Sequence, residues 1–301
     1  MEISEPGRHI SLYRGFLIVA DQNAEIGRVA LDDVTAVMAT TSAFTASGVV
    51  LAELAERAIP FVLCGKNFAP IGLMWPLGGH HAQQRRMEAQ IAAPKPLCKR
   101  LWQQVVAAKI RGQGHTLAAL GHPAGAFVRL ASQVKSGDPD NLEALAARRY
   151  WPLLFGSQFR RDPDGGGANG LLNYGYAVLR SATARALAAA GLHPGIGIFH
   201  RHPNNPMPLA DDFMEPFRPF VDLAVATLSA KYGEIVNADA KHRLVAVLQT
   251  NLPTTAGTSP LNTCLVRLGA SLAGCFLNGT VELDLPLYKA PDAENPKDDD
   301  S

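Results

Sequence analysis

The sequence predicts an α+β protein in which a small N-terminal β-rich domain is followed by a larger all-α C-terminal domain. The first 80 residues contain short runs of Val, Ile and Leu separated by Gly, Asp and Asn, which is typical of strands and turns. After Gln83 the chain changes to long helical periods of Ala, Leu, Arg and Gln. A chain of 301 residues that is 47% hydrophobic and 18% charged can form the core that this arrangement needs.

The β-rich part is predicted from three segments, HISLYRGFLIVA, IGRVALDDVTAVMAT and IPFVLCG, with one helix in FTASGVVLAELAERA. The next segment, PIGLMWPLGGHH, gathers two prolines and three glycines and indicates a boundary. We therefore assign residues 1–78 to the β-rich domain and 79–86 to a linker. Residues 87–288 form the helical domain, and 289–301, rich in Pro and Asp, a disordered tail.

Composition excludes some classes of protein but does not indicate a particular binding partner. The net charge of +1 predicts no acidic or basic ligand for the whole molecule. No signal-peptide pattern and no apolar run of about 18 residues are present, and four scattered cysteines fit neither a disulfide framework nor a zinc site. We expect a cytoplasmic protein with no membrane segment.

Potential metal ligands are concentrated in GIGIFHRHPNNPMPLADDFMEPFRPFVD. If GIGIF is a strand that continues through residue 202, His200 and His202 point to the same side of it. Asp212 and Glu215 are three residues apart, so they share one face of the helix expected after the prolines. Surface histidines and acids that interact with a helix dipole would explain the same residues without any site.

A further acid stands in GDPDNLEALAARRYWPLLFG. Asp138 and Pro139 have the pattern of a helix N-cap and first helical residue. Glu143 would then lie in the next turn, where neighbouring alanines leave room over its carboxylate. A solvated glutamate is the alternative. Carboxylates combined with one imidazole suit a divalent ion such as Mg²⁺ or Mn²⁺.

These segments together resemble the CRISPR-associated spacer integrase, the larger protein of the universal adaptation pair. IFHRHPNNPMPLADDFMEPFRPFVD is similar to the core motif of that family, and NLEALAARRYWPLLFG and NGLLNYGYAVLRS resemble the two helices before it. PLGGHHAQQRRMEAQI resembles the domain junction of that family, and its sequence is most similar to the type II branch. The resemblance extends over nearly the whole chain.

The resemblance implies a catalytic site in which Glu143, His200 and Glu215 hold Mg²⁺ or Mn²⁺. It also implies supporting roles for Asp212, Arg218 and Tyr174, although helical spacing alone would place Tyr174 in the core. His202 matches no ligand of the family. The basic residues that we expect to contact DNA are Arg85, Arg86, Arg148, Arg149, Arg160, Arg161, Arg201, Lys241 and Arg243. Each of them alone is equally typical of a solvated helix face.

The family joins a short DNA fragment to a CRISPR repeat by transesterification through a 3′-hydroxyl. It implies double-stranded DNA as substrate, a homodimer formed by the β-rich domain, and a small adaptation partner that completes a heterohexamer. A type II chain could also meet the effector nuclease. Two alternatives remain open, namely a metal-dependent nuclease of branched DNA that never integrates and a DNA-binding scaffold without chemistry.

Overall fold

A computed structural model describes residues 1–22, 24–34, 36–57, 59–65, 70–74, 82–200, 202–255 and 257–288. The predicted contact Arg201, the tail 289–301 and residues 79–81 of the linker lie outside the described residues. Within the part of the chain described, no helix has the length and apolarity needed to span a bilayer.

The N-terminal part consists of two sheets and one helix. The first sheet has the order β4–β3–β2–β6, from Ala24–Ala30, Phe16–Asp21, Arg8–Tyr13 and Phe44–Ala46. The second has the order β1–β5–β7–β8, from Glu2–Ile3, Val37–Ala39, Phe61–Cys64 and Pro70–Met74. Helix α1 is Gly48–Glu56. Arg14 and Gly15 both have positive φ, as the two-residue turn between β2 and β3 requires.

The C-terminal part is mainly helical. Its helices are α2 (Gln83–Ile91), α3 (Lys95–Ala119), α4 (Gly125–Gln133), α5 (Leu142–Phe155), α6 (Ala168–Ala189), α7 (Pro208–Met214), α8 (Arg218–Tyr232), α9 (Ala238–Ala246) and α10 (Leu261–Asn278). A 3₁₀ turn, Glu215–Phe217, joins α7 to α8, and a second one, Val247–Gln249, follows α9. The long helices α3 and α6 supply many of the buried side chains.

The predicted fold class is confirmed, because a β-rich region precedes a larger helical one. One detail of it was wrong, since the C-terminal part is not entirely helical. Strands β9 (Asn251–Thr254) and β10 (Gly257–Pro260) form an antiparallel hairpin before α10. Helix α2 also begins at Gln83, inside the segment assigned as a linker.

Two local predictions were wrong for reasons visible in the hydrogen bonds. The segment around GIGIF is not a strand, because the carboxylate of Asp212 accepts the backbone N–H groups of Ile198, Phe199 and His200. Helix α5 begins at Leu142 rather than at Pro139. Asp138 still caps it, accepting the N–H groups of Leu142 at 2.9 Å and Glu143 at 3.0 Å.

Candidate functional site

Glu143 lies in the first turn of α5, where a carboxylate is favoured by the helix dipole. The neighbouring Ala146 is fully buried, so the helix packs closely on the core while the glutamate side chain stays partly accessible. Its Oε1 atom lies 2.5 Å from Nζ of Lys109 on α3. Glu143 therefore points toward α3 and not into bulk solvent.

Glu215 occupies the 3₁₀ turn between α7 and α8 and is buried. Nη1 of Arg218 donates to its Oε1 at 2.6 Å, and Nζ of Lys109 lies 2.5 Å from its Oε2. Burial would raise the pKa of this carboxyl, but the charges of Arg218 and Lys109 outweigh it and lower the pKa to about 2. Glu215 is therefore a carboxylate at any ordinary pH.

His200 is oriented by Asp212. The ring Nδ1 lies 2.7 Å from Oδ1 of Asp212, which itself is inaccessible to solvent. The hydrogen bond to Asp212 raises the pKa of His200 against the effect of partial burial, and the charges of Glu215 and Glu143 raise it further. The three predicted ligands are thus close enough to act on one another. With Nδ1 engaged by Asp212, the neutral ring carries its lone pair on Nε2.

Trp102 supports the same histidine from α3. Its indole stacks on Phe199 with ring centroids 4.1 Å apart, and the His200 ring stands edge-on to it at 5.4 Å. Trp102 and Lys109 are seven residues apart, which corresponds to two turns of α3. One helix therefore carries both the aromatic support of His200 and the cation between the carboxylates.

A buried polar network lies behind Glu215. The guanidinium of Arg218 lies over the ring of Tyr176, 4.2 Å from its centroid, and the Tyr176 hydroxyl donates to Asp222. The hydroxyl of Tyr150 donates to the same carboxylate at 3.0 Å. Burial raises the pKa of Asp222 to about 6 despite these hydroxyls and Arg218. The network fixes Arg218, and Arg218 fixes Glu215.

The donor set suits a divalent ion, although the present arrangement is held by a lysine. Among the described residues, no three His, Cys, Asp or Glu side chains form a metal-ligating group. Lys109 occupies the space between the two carboxylates instead. Oε2 of Glu215 is buried, and the ammonium of Lys109 lies 2.5 Å from it. Two carboxylates and one imidazole nitrogen match the ligand preferences of Mg²⁺ and Mn²⁺.

Tyr174, for which the resemblance implies a supporting role, contacts the N-terminal part of the chain. Its hydroxyl donates to Oε2 of Glu2 in β1 at 2.6 Å, and Lys241 lies over its ring. It therefore links α6 to the N-terminal part of the chain. Tyr176, two residues further on, is the tyrosine that contacts Arg218.

The predicted DNA contacts fall into two groups. The exposed ones are Arg85, Arg148, Arg149, Arg160 and Arg243, the last of which pairs with Asp239 on the surface of α9. The remaining described ones bind other parts of the chain, through Arg86 to the Ala190 carbonyl, Arg161 to Asn169 and Asn173, and Lys241 to Glu2. His202 is exposed, and its Nδ1 accepts only the backbone N–H of Asn204.

Sequence reasoning missed Lys109, Tyr176 and Asp222. A signal for Lys109 is present in VVAAKIRGQ, where the lysine follows four small or apolar residues and precedes Ile110. A buried ammonium requires a carboxylate partner, so such a lysine predicts that acids from elsewhere converge on it. Spacing offered no comparable signal for Tyr176 or Asp222.

Comparison with known proteins identifies the family and the fold. The model of the family described as "CRISPR associated protein Cas1" matches residues 1–250. A CRISPR-associated endonuclease Cas1 of Neisseria meningitidis is 39% identical over 224 residues, covering 74% of this chain and 73% of the relative. A casposase bound to integration product superposes with a TM-score of 0.78 at 17% identity, over 94% of this chain and 92% of that one.

A solved Cas6-RT-Cas1–Cas2 complex is similar in fold as well. Its matching chain superposes with a TM-score of 0.74 at 20% identity, and the match covers 97% of this chain and 36% of that one. The family model and the Neisseria relative define a CRISPR-associated protein, which here has a β-rich N-terminal part and a helical part that carries the acidic residues. The chain belongs to the Cas1 family.

Proposed function

We propose that this chain is a metal-dependent DNA integrase and endonuclease that inserts short foreign DNA fragments into a CRISPR array. Membership of the Cas1 family supports the CRISPR context, and the relative named an endonuclease and the casposase bound to integration product support the chemistry. The observation that carries the proposal is the meeting of Glu143 and Glu215, from separate segments, at the ammonium of Lys109, with the charges of both acids raising the pKa of His200.

Glu143, Glu215 and Nε2 of His200 would hold Mg²⁺ or Mn²⁺. When bound, such an ion neutralises charge at phosphorus and polarises the attacking oxygen. Asp212 keeps the proton of the neutral imidazole on Nδ1, so that Nε2 remains a donor atom. Arg218 holds Oε1 of Glu215, and Oε2 of the same carboxylate faces the ammonium of Lys109.

The reaction needs no nucleotide cofactor, because one phosphodiester bond replaces another. The oxygen of a 3′-hydroxyl on the incoming fragment bonds to a backbone phosphorus, and the bond from that phosphorus to the neighbouring 3′-oxygen breaks. The attacking hydroxyl loses a proton and the departing oxygen gains one. Water in place of the 3′-hydroxyl gives strand cleavage by the same residues.

The DNA would approach along α5. Arg148 and Arg149 are exposed five and six residues beyond Glu143, on other faces of the same helix, and Arg160 is exposed in the segment that follows. Guanidinium groups bind phosphate oxygens in two-pronged geometry, which positions a duplex without reading its sequence. Arg85 on α2 and Arg243 on α9 are further exposed candidates.

The partners follow from the geometry of integration. Joining a fragment at both of its ends requires two sites at a fixed separation, which supports a homodimer. The fold shared with a Cas6-RT-Cas1–Cas2 complex supports a Cas2-type protein as the small partner, in a heterohexamer. We extend the proposal to the type II branch, with the effector nuclease as a further partner and the cytoplasm as the place of action.

A nuclease of branched DNA that never integrates is the second candidate, favoured by the word endonuclease in the name of the Neisseria relative. A strand-transfer assay separates the two. Purified protein, with and without its small partner, is mixed with Mn²⁺ or Mg²⁺, a labelled short duplex and a plasmid carrying the neighbouring repeat. We expect label to become joined to the plasmid, and Glu143→Ala to abolish joining.

The matched control is Glu56→Ala, which removes an exposed carboxylate from α1. Cleaved plasmid without joined label, even with the partner present, would favour the nuclease. DNA binding with neither reaction, unaffected by Glu143→Ala, would leave a scaffold without chemistry and contradict the proposal.

A further inference from the structure

Lys109 is a buried lysine whose ammonium is shared equally by two acids. Lys109 is 8% exposed, and its Nζ lies 2.5 Å from Oε1 of Glu143 and 2.5 Å from Oε2 of Glu215. The residues around it in α3 are apolar, with Val105, Val106 and Ile110 all buried. The lysine reaches the acids from the core side, so it is a built part of the site.

The charges of the four side chains that are paired around Lys109 cancel without a metal ion. Glu143 and Glu215 carry two negative charges, and Lys109 and Arg218 carry two positive ones. A divalent ion between the same carboxylates would add two positive charges at a few ångströms from the ammonium. At such separations in a poorly solvated site, like charges repel strongly.

Steric exclusion between a metal ion and the Lys109 ammonium leads to the same conclusion as charge repulsion. Mg²⁺ takes oxygen ligands at about 2.0–2.1 Å, and an ion bound through Oε1 of Glu143 and Oε2 of Glu215 would lie between these two atoms. The Lys109 ammonium already lies there, within contact of both oxygens. Metal ion and ammonium cannot occupy this position together.

We propose that Lys109 is a built-in counter-ion that holds Glu143 and Glu215 together while no metal is bound, and that a metal ion must displace it. This inference rests on the proposed function, since it assigns Lys109 to the proposed metal site. Lys109 is a positioning residue that keeps two buried carboxylates paired, and it thereby sets the metal concentration at which the site fills.

Direct titration of Mn²⁺ into the metal-stripped full chain tests the inference by calorimetry. Lys109→Met is compared with wild type and with Lys99→Met, a matched control that removes an exposed lysine of the same helix. We expect Lys109→Met to bind Mn²⁺ about 5- to 150-fold more tightly, the usual range for two coupled binding events. The control is expected to bind like wild type.

Thermal unfolding supplies a second readout. In EDTA we expect Lys109→Met to unfold at a lower temperature than wild type, because Glu143 and Glu215 lose their shared cation. Saturating Mn²⁺ is expected to raise the unfolding temperature of the variant more than that of wild type. A lysine with a merely structural role would lower both temperatures alike and would not tighten metal binding. Lys109→Gln, which keeps a hydrogen-bond donor, serves as the milder neutral variant.

The outcomes separate this inference from the proposed function. Equal Mn²⁺ affinity in wild type, Lys109→Met and Lys109→Gln, with affinity lost in Glu143→Gln, would overturn the role of Lys109 and leave the metal site intact. Absence of Mn²⁺ binding in wild type and in both lysine variants would overturn the metal site and the inference together.

Discussion

At the scale of single residues, Asp212 determines how His200 can act. Its carboxylate is fully buried and accepts the His200 ring N–H together with three backbone N–H groups. The Oδ2 atom alone receives Ile198 at 2.8 Å and Phe199 at 3.0 Å. The Asp212 side chain therefore orders the loop and determines which imidazole nitrogen carries the proton.

Replacing Asp212 with Asn should weaken metal binding. An amide group can accept at only one of its two positions, so at least one backbone N–H would face an N–H donor. Residues that orient a metal-ligating histidine usually contribute about 10- to 100-fold to metal affinity. We expect a loss of that size in a Mn²⁺ titration of Asp212→Asn. Asp33→Asn, at an exposed carboxylate, is the control, and unchanged affinity in Asp212→Asn would contradict the account.

Acidification should release the metal without loosening the fold through His200. Its pKa lies above the 6.5 of an unperturbed imidazole, chiefly because of the hydrogen bond to Asp212. Protonation blocks Nε2, so Mn²⁺ affinity and strand transfer are expected to fall with a midpoint above pH 6.5. Because folding raises the pKa of His200, its protonation stabilises the folded state at pH values below the pKa of the unfolded chain. This contribution is lost as the pH rises through the pKa of the folded state. A flat activity profile from about pH 5 to 8 would contradict the assignment.

At the scale of elements, close contact between α6 and α8 positions the acidic turn. A Cβ added at Gly175 would lie 2.5 Å from Cγ1 of Val221, so only glycine allows the two helices to approach this closely. Arg218 begins α8 and contacts Tyr176 beside that glycine. The spacing of the two helices therefore decides where Glu215 stands.

Gly175→Ala should separate these helices. Overfilling a packed core costs about 1–3 kcal/mol of unfolding free energy, and the displaced Arg218 should reduce strand transfer as well. Denaturant unfolding measures the first effect. Gly274→Ala, in α10, is the control because nothing lies within 4 Å of the added Cβ, and there alanine should stabilise by about 0.5–1 kcal/mol. A Gly175→Ala protein as stable as wild type would refute the packing argument.

The sequence predicted the order of the elements well but failed where one side chain replaces backbone pairing. The helical periods of α3, α5 and α6 are strong because each buries a continuous apolar face. GIGIF has strand composition, yet Asp212 takes the N–H groups that a strand partner would need. Glu143, His200 and Glu215 could be named from the motif. Lys109 could not, because its meaning depends on acids that the fold brings from distant segments.

At the scale of the whole molecule, the N-terminal part is tied to the helical part by more than the chain connection. Met38, Val62 and Cys64 from the strands belong to the same apolar core as α3 and α6. Glu2 of β1 receives the Tyr174 hydroxyl from α6 and lies 3.4 Å from Nζ of Lys241 on α9. This polar contact fixes how the two parts meet.

Tyr174→Phe should therefore change stability rather than chemistry. Removing a hydroxyl that donates to a carboxylate costs about 1.5–3 kcal/mol, which denaturant unfolding can measure. Strand transfer at a temperature where the variant is folded is expected to be retained. Tyr232→Phe, at an exposed tyrosine, controls for the substitution itself. Loss of strand transfer in a fully folded Tyr174→Phe protein would contradict this prediction and support the role beside the site that the family resemblance implies.

The central claim is that Glu143, His200 and Glu215 together hold one divalent ion in the helical part of this Cas1-family chain. Anomalous diffraction from crystals containing Mn²⁺ tests it most directly. We predict a manganese peak within about 2.0–2.3 Å of a carboxylate oxygen of each glutamate and of Nε2 of His200, with Lys109 moved off both acids. A manganese-saturated crystal in which Lys109 still bridges Glu143 and Glu215, and the peak is absent or lies elsewhere, would contradict the account.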